Sequence, residues 1–212
     1  SETEYEIPDT NCVIVSDVRK AMPFIAQLFY AIPDDFRTIG ITGTKGKTTT
    51  AYYLKNIFDT AMEERGRPPA GFMTTVQTYD GKESVYSGIT TPESFEIHRH
   101  FRNACDSGIS HMIMEFSSQA LKYRRVQGVR LKCAVFLNIS EDHISPIEHA
   151  DFEDYFSSKL MIFSQCDTAV ICTGSPFGER IAEAAKKAGR VITFGMNEDA
   201  DIRAFDIRPM DG

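Results

Sequence analysis

At about one domain per 150 residues, a chain of 212 residues is one large domain or a domain with an appendage. Its 42% hydrophobic and 25% charged residues are ordinary globular usage and exclude a largely disordered, collagen-like or coiled-coil chain. A net charge of -7 argues against a broad grip on nucleic acid, no apolar run approaches the roughly 20 residues that span a bilayer, and the acidic start from Ser1 to Asp9 is unlike a signal peptide. A cytoplasmic monomer with neither nucleic acid nor membrane as partner is expected. Cys12, Cys105, Cys133, Cys166 and Cys172 are odd in number and form no CxxC pair, so reduced, mostly buried thiols are expected.

In chain order, residues 1–37 hold a short strand candidate at Cys12–Val15 and a helix around Val18–Tyr30 that stops before Pro33. They form a connector too small for a core of its own. A strand at Thr38–Thr42, the turn GTKGK and a helix from Thr48 to about Arg65 follow. Leu54, Ile57, Phe58, Ala61 and Met62 make one apolar stripe on that helix, and Gly66 with Pro68 ends it. Next come a strand at Gly71–Thr75 and a hairpin across Asp80-Gly81, a dipeptide suited to a type I′ turn. Thr91 and Pro92 read as a capping hydroxyl and first-turn proline for a helix ending near Ser107. HMIME and LKCAVFLN are buried strands, DFEDYFSSKLMIF a helix, TAVICT a strand, ERIAEAAKKAG a helix and RVITF a strand, before a last strand and turn in ADIRAFDIRPMDG. The repeated β-α-β order predicts an α/β fold with a mostly parallel, doubly wound sheet.

Chemistry concentrates at ITGTKGKTTT, residues 41–50. Gly43, Gly46, Lys47 and Thr48 stand between a strand and a helix, where backbone N–H groups and the helix N-terminus converge on an anion. Lys47 adds a cation and Thr48 a hydroxyl for magnesium. The match to the strict phosphate-loop pattern is shifted, with Gly40 one position earlier than that pattern requires. Glu115 and Asn138 end buried strands, the edge of an α/β sheet where ligands collect. Glu115 is a magnesium candidate or a cap for the following helix. Asp142-His143 follows the next strand. Lys159 falls within the apolar stripe of Phe152, Tyr155, Phe156 and Phe163; it is either a stem that snorkels to water or an amine whose pKa burial lowers. Lys122, Arg124, Arg125, Arg130 and Lys132 crowd eleven residues, as a solvated basic loop or as the grip on a second anionic substrate.

The stretches GITGTKGKTTT, TTPES, MEFSSQAL followed by RV, VFLNISEDH and YFSSKLMIF together resemble the Mur ligase family, most closely its MurE-type UDP-N-acetylmuramoyl-dipeptide ligases. The resemblance spans about residues 11–212 and implies a fragment of a three-domain enzyme. Residues 1–37 would be the end of a UDP-binding domain with its connector, 38–212 the central ATP-binding domain, and the domain for the incoming amino acid would be absent. It implies an ATP-dependent amide ligase of peptidoglycan precursor synthesis that works through an acyl phosphate, with Mg2+ as cofactor and a UDP-N-acetylmuramoyl peptide and an amino acid as partners. By resemblance, Gly43, Thr44, Lys45, Gly46, Lys47, Thr48, Thr49 and Asn138 attend ATP, and Thr48, Glu115 and His143 attend magnesium. Lys159 matches a lysine carried as a carbamate, also a metal ligand. Thr90, Thr91, Ser117 and Arg125 match positions that hold the muramoyl peptide. Lys47, Glu115, His143 and Lys159 are the catalytic set. Lys45, Gln119 and DHISPIEH depart from the usual family residues. Folylpolyglutamate and cyanophycin synthetases, or a nucleotide-binding module without turnover, are the alternatives.

Overall fold

This computed structural model describes residues 13–142, 144–145 and 147–208. Helix α1 (Val18–Tyr30) leads into β1 (Arg37–Thr42), α2 (Lys47–Glu63), β2 (Gly71–Met73), β3 (Gln77–Tyr79) and β4 (Ser84–Tyr86). After them come α3 (Ser94–Asp106), β5 (His111–Glu115), α4 (Ser118–Lys122) and β6 (Leu131–Phe136). The chain continues through α5 (Phe152–Leu160), β7 (Cys166–Cys172), α6 (Gly178–Ala185), β8 (Arg190–Gly195) and β9 (Ile202–Arg203). The strands form one sheet in the order β4-β3-β2-β5-β1-β6-β7-β8-β9. Pairing is parallel from β2 through β9, and β3 and β4 add an antiparallel edge.

Alternation along the central strands builds two cores, as a period of two requires. Ile39, Ile41, Ile113 and Val135 pack beneath α2 with Ala51, Leu54 and Phe58. Met112, Met114, Ala134 and Phe136 turn to the other face, under Phe101 of α3, Leu121 of α4, Phe156 of α5 and Ile181 of α6. The sheet is therefore doubly wound, with α2 on one face and α3 to α6 on the other. Because β1 lies between β5 and β6, the chain reverses its direction across the sheet beside β1, the place where such sheets open a crevice for ligands.

Several local expectations change. Residues 13–15 form no strand, and Cys12 lies outside the described residues. On α2, Met62 is buried but Ile57 is 64% exposed. The Thr91 hydroxyl does not cap α3: it donates to the Glu115 carbonyl and accepts from the Ser117 amide, and the helix starts at Ser94 without a side-chain cap. The Asp80-Gly81 hairpin forms, but of its central residues only Gly81 takes positive φ, at 87°, whereas type I′ needs it at both. The basic cluster disperses, since Arg130 and Lys132 pair with Asp167 at the start of β7 while Arg125 pairs with Glu93. Cys105, Cys133, Cys166 and Cys172 are free thiols, half-buried rather than enclosed.

The hairpin is pinned to α3 by a fully buried carboxylate. Asp80 Oδ2 lies 2.6 Å from His100 Nδ1 and accepts from Asn103 Nδ2, while Oδ1 accepts from the Lys82 and Glu83 amides. Burial alone would raise its pKa, but these donors outweigh it and hold the carboxyl below its ordinary value. Asp80→Ala is expected to cost about 3–5 kcal/mol, the usual result of stripping one partner from a buried pair. A depressed carboxyl pKa stabilises the fold above its unfolded value, near 4, and that contribution disappears as pH falls through the folded value. The stability difference between the two forms in urea titrations should therefore begin to shrink only as pH falls below about 4.

Candidate functional site

The turn between β1 and α2 can form only with glycine at two points. Gly43 has φ 153° and a Cβ there would stand 3.1 Å from Leu137 Cβ; Gly46, the residue before α2, is left-handed with φ 85°. The first-turn amides of α2, at Lys47, Thr48 and Thr49, have no intrahelical acceptors and make this end of the helix favourable to an anion.

Asn138 follows β6 and clamps this loop from the neighbouring strand. Its Oδ1 accepts from the Thr44 and Lys45 amides, each at 3.0 Å, and its Nδ2 donates to the Lys45 carbonyl at 3.1 Å. Thr44 is held further by Tyr155, whose hydroxyl is 3.0 Å from Thr44 Oγ1, and by Ser140. Lys45 is exposed and pairs with Asp142 at 3.0 Å.

Two lysines meet at one carbonyl. Lys47 Nζ donates to Gly43 O at 3.0 Å and to Thr44 O at 3.3 Å; Lys159 Nζ donates to Gly43 O at 2.9 Å. Lys159 is 2% exposed and its nitrogen lies 4.7 Å over the Tyr155 ring. The snorkelling alternative is thus excluded, because the stem ends inside the protein. Burial first, and the positive charge of Lys47 second, bring its pKa down to about 7. Burial also lowers the pKa of Lys47, against the opposing charge of Glu115.

Glu115 closes β5, level with Ile41 of β1, and is fully buried. Its Oε1 accepts from the Thr75 amide at 3.1 Å and its Oε2 from the Thr75 hydroxyl at 3.3 Å. The helix-cap alternative fails, since the cap of α4 is Ser117, whose Oγ accepts from the Ala120 amide. The Thr75 hydroxyl lies 2.9 Å from the Thr90 hydroxyl, and Arg125 Nη1 donates to the Thr91 carbonyl at 3.3 Å. Thr90, Thr91, Ser117, Arg125 and Glu115 thus form one connected group beside the phosphate loop. His143 lies outside the described residues. Sequence reasoning missed Thr75, His149 and the hydroxyl of Tyr155; for Tyr155 the signal was its place four residues before Lys159. A cavity of about 630 Å³ opens at the ends of β7 and β8, lined by Thr173, Ser175, Arg180 and Asn197 among others, and contains none of the phosphate-loop residues.

The chain as a whole is similar to known proteins. The Mur ligase middle domain profile matches residues 41–211. UDP-N-acetylmuramyl-tripeptide synthetase of Bifidobacterium longum is 41% identical over 203 residues, 95% of this chain and 39% of that protein. UDP-N-acetylmuramoyl-L-alanyl-D-glutamate--L-lysine ligase of Enterococcus faecalis is 40% identical over 188 residues, 88% of this chain and 36% of that protein. Among solved structures, a UDP-N-acetylmuramoyl-L-alanyl-D-glutamate--2,6-diaminopimelate ligase aligns with TM-score 0.74 at 22% identity, covering 94% of this chain and 40% of that one. MurF ligase from Thermotoga maritima in complex with ADP aligns with TM-score 0.58 at 14% identity, covering 92% and 40%. The chain spans about two-fifths of the length of the curated relatives it matches, and on the profile and these identities it belongs to the Mur ligase family.

Proposed function

We propose that this chain is the nucleotide-binding centre of an ATP-dependent ligase that adds an amino acid to UDP-N-acetylmuramoyl-L-alanyl-D-glutamate, in the cytoplasmic synthesis of peptidoglycan precursors. The observation that carries it is the meeting of Lys47 and Lys159 on Gly43 O, at the mouth of a helix N-terminus clamped by Asn138. A glycine turn that merely joined strand to helix would have no use for two lysines on one carbonyl, one half-buried and one fully buried. Residues 38–212 are the central domain in this reading and residues 1–37 the end of a UDP-binding domain with its connector. The 212-residue chain alone should then bind ATP without forming amide.

The donors fit a hydrated magnesium ion. Thr48 offers a hydroxyl in the first turn of α2 and Glu115 a carboxylate whose Oε2 accepts, among the described residues, just the long bond from Thr75, and oxygen is the ligand that ion prefers. His143 and a carbamylated Lys159 complete the proposed set. Bound there, magnesium neutralises phosphate charge. The first-turn amides of α2 cradle the phosphates, and Lys47 leaves its loop carbonyls for the transferring phosphoryl group. Thr90, Thr91, Ser117 and Arg125 hold the muramoyl peptide with its carboxylate facing ATP. That carboxylate oxygen bonds to the γ-phosphorus as the bond to ADP breaks. The amine nitrogen of the incoming amino acid then bonds to the acyl carbon and gives up one proton to water, and inorganic phosphate leaves with the C–O electron pair.

The test is phosphate release by the complete gene product with MgATP, UDP-N-acetylmuramoyl-L-alanyl-D-glutamate, and lysine or diaminopimelate in parallel. Release that requires both the muramoyl substrate and one amino acid, with the amide seen by mass spectrometry, is expected. Release from ATP alone, or a requirement for a folate or arginine–aspartate polymer in place of the muramoyl peptide, would overturn the reading.

A further inference from the structure

His149 is a buried histidine that the mechanism above does not use. It is 1% exposed, with Nε2 2.9 Å from Ser118 Oγ and Nδ1 3.1 Å from Asp154 Oδ2. Asp154 also accepts from Lys122 Nζ at 2.5 Å and from the Ala150 amide. These are the atoms of a nucleophile relay, but Ser118 is only 4% exposed and Asp154 is occupied by Lys122. The arrangement is a brace.

We propose that His149 is a positioning residue for the muramoyl-peptide side of the site, a reading that rests on the function proposed above. An Nδ1–H given to the Asp154 carboxylate leaves Nε2 as an acceptor for the Ser118 hydroxyl. Ser118 is the first residue of α4, and the residue before it is Ser117, which caps the helix and whose amide donates to Thr91 Oγ1. On its other side the imidazole meets the Tyr155 ring edge-on, centroids 5.3 Å apart, and the Tyr155 hydroxyl holds Thr44. His149 therefore spans the gap between the phosphate loop and the group around Ser117. It fixes how far the acceptor carboxylate stands from the nucleotide, while the phosphate loop keeps its own clamp, Asn138, on another strand.

Steady-state kinetics of the complete gene product separate this from a merely structural role. Ser118→Ala deletes the hydroxyl, and His149→Asn keeps the donor to Asp154 but no longer reaches Ser118. Each is expected to raise KM for UDP-N-acetylmuramoyl-L-alanyl-D-glutamate about 5- to 10-fold, the range of one lost hydrogen bond, with KM for ATP within about twofold. The double variant should be no worse than either single one, because both remove the same bond. His149→Gln restores an acceptor near Ser118 and should recover most of the loss. Equal rises in both KM values, additive effects, or no change in the muramoyl KM would overturn the proposal and leave the function above standing. A wild-type protein with no ligation would overturn both. Should His149→Asn fail to fold, Ser118→Ala and His149→Gln decide the matter.

Discussion

Replacing Lys47 by alanine is expected to weaken MgATP binding by the 212-residue chain about 30-fold or more. Losing one partner of a desolvated charged contact costs about 2–5 kcal/mol, and each 1.4 kcal/mol is about tenfold in affinity. Lys47 sits at the first turn of α2 with its ammonium folded back on the carbonyls of Gly43 and Thr44. Those two bonds are modest and local, so an arriving phosphate draws the ammonium off at little cost. The alanine variant loses neither the glycine turn nor the Asn138 clamp, and its melting temperature should stay close to that of the parent. Calorimetry with MgATP checks the expectation. Unchanged affinity in a folded variant would remove the loop from the site.

The loop between β1 and α2 was legible in the sequence because a tight strand-to-helix turn of this kind needs particular residues at fixed spacing. Gly43 and Gly46 are required by backbone conformation, and Lys47 and Thr48 by position on the first turn. Lys159 was legible for a different reason, its place at helical spacing among Phe152, Tyr155 and Phe156, which fill the core in the structure. The fold class followed from strand and helix alternation, but the division of helices between faces did not, since an apolar strand buried on both sides carries no mark of which helix covers it. Thr91 shows a sharper limit. A hydroxyl before proline satisfies the local rule for a cap, yet its hydrogen bonds go to Glu115 and Ser117, partners more than twenty residues away. Ile57 likewise fits the apolar stripe of α2 but lies 64% exposed. The five-residue basic run was misleading because β6 carries Arg130 and Lys132 to the opposite end of the sheet from the phosphate loop.

Lys159→Ala in the complete gene product is expected to be nearly inactive, by at least about 100-fold, and partly restored by a short carboxylic acid. The physical motive lies in the amine's surroundings. Burial and Lys47 bring its pKa down to about 7, so near neutral pH a large share of the amine carries a free electron pair. One N–H can remain on Gly43 O while that pair bonds to the carbon of carbon dioxide and the nitrogen releases one proton. The product is a carbamate anion. In place of two like charges pressed on one carbonyl, the site then holds an anion beside the Lys47 ammonium, with carboxylate oxygens suited to magnesium. A neutral amine is required, so activity regained from carbonate-free enzyme should rise as pH increases through about 7 and level off above it. Acetate or formate can enter the volume left by the alanine variant and supply the missing oxygens, which is what the rescue reads. Measuring phosphate release with and without added acid decides between this chemistry and plain packing. Full activity in Lys159→Ala without an additive would show that the reaction needs no group at this position beyond the helix backbone, and carbamylation would have no part in it.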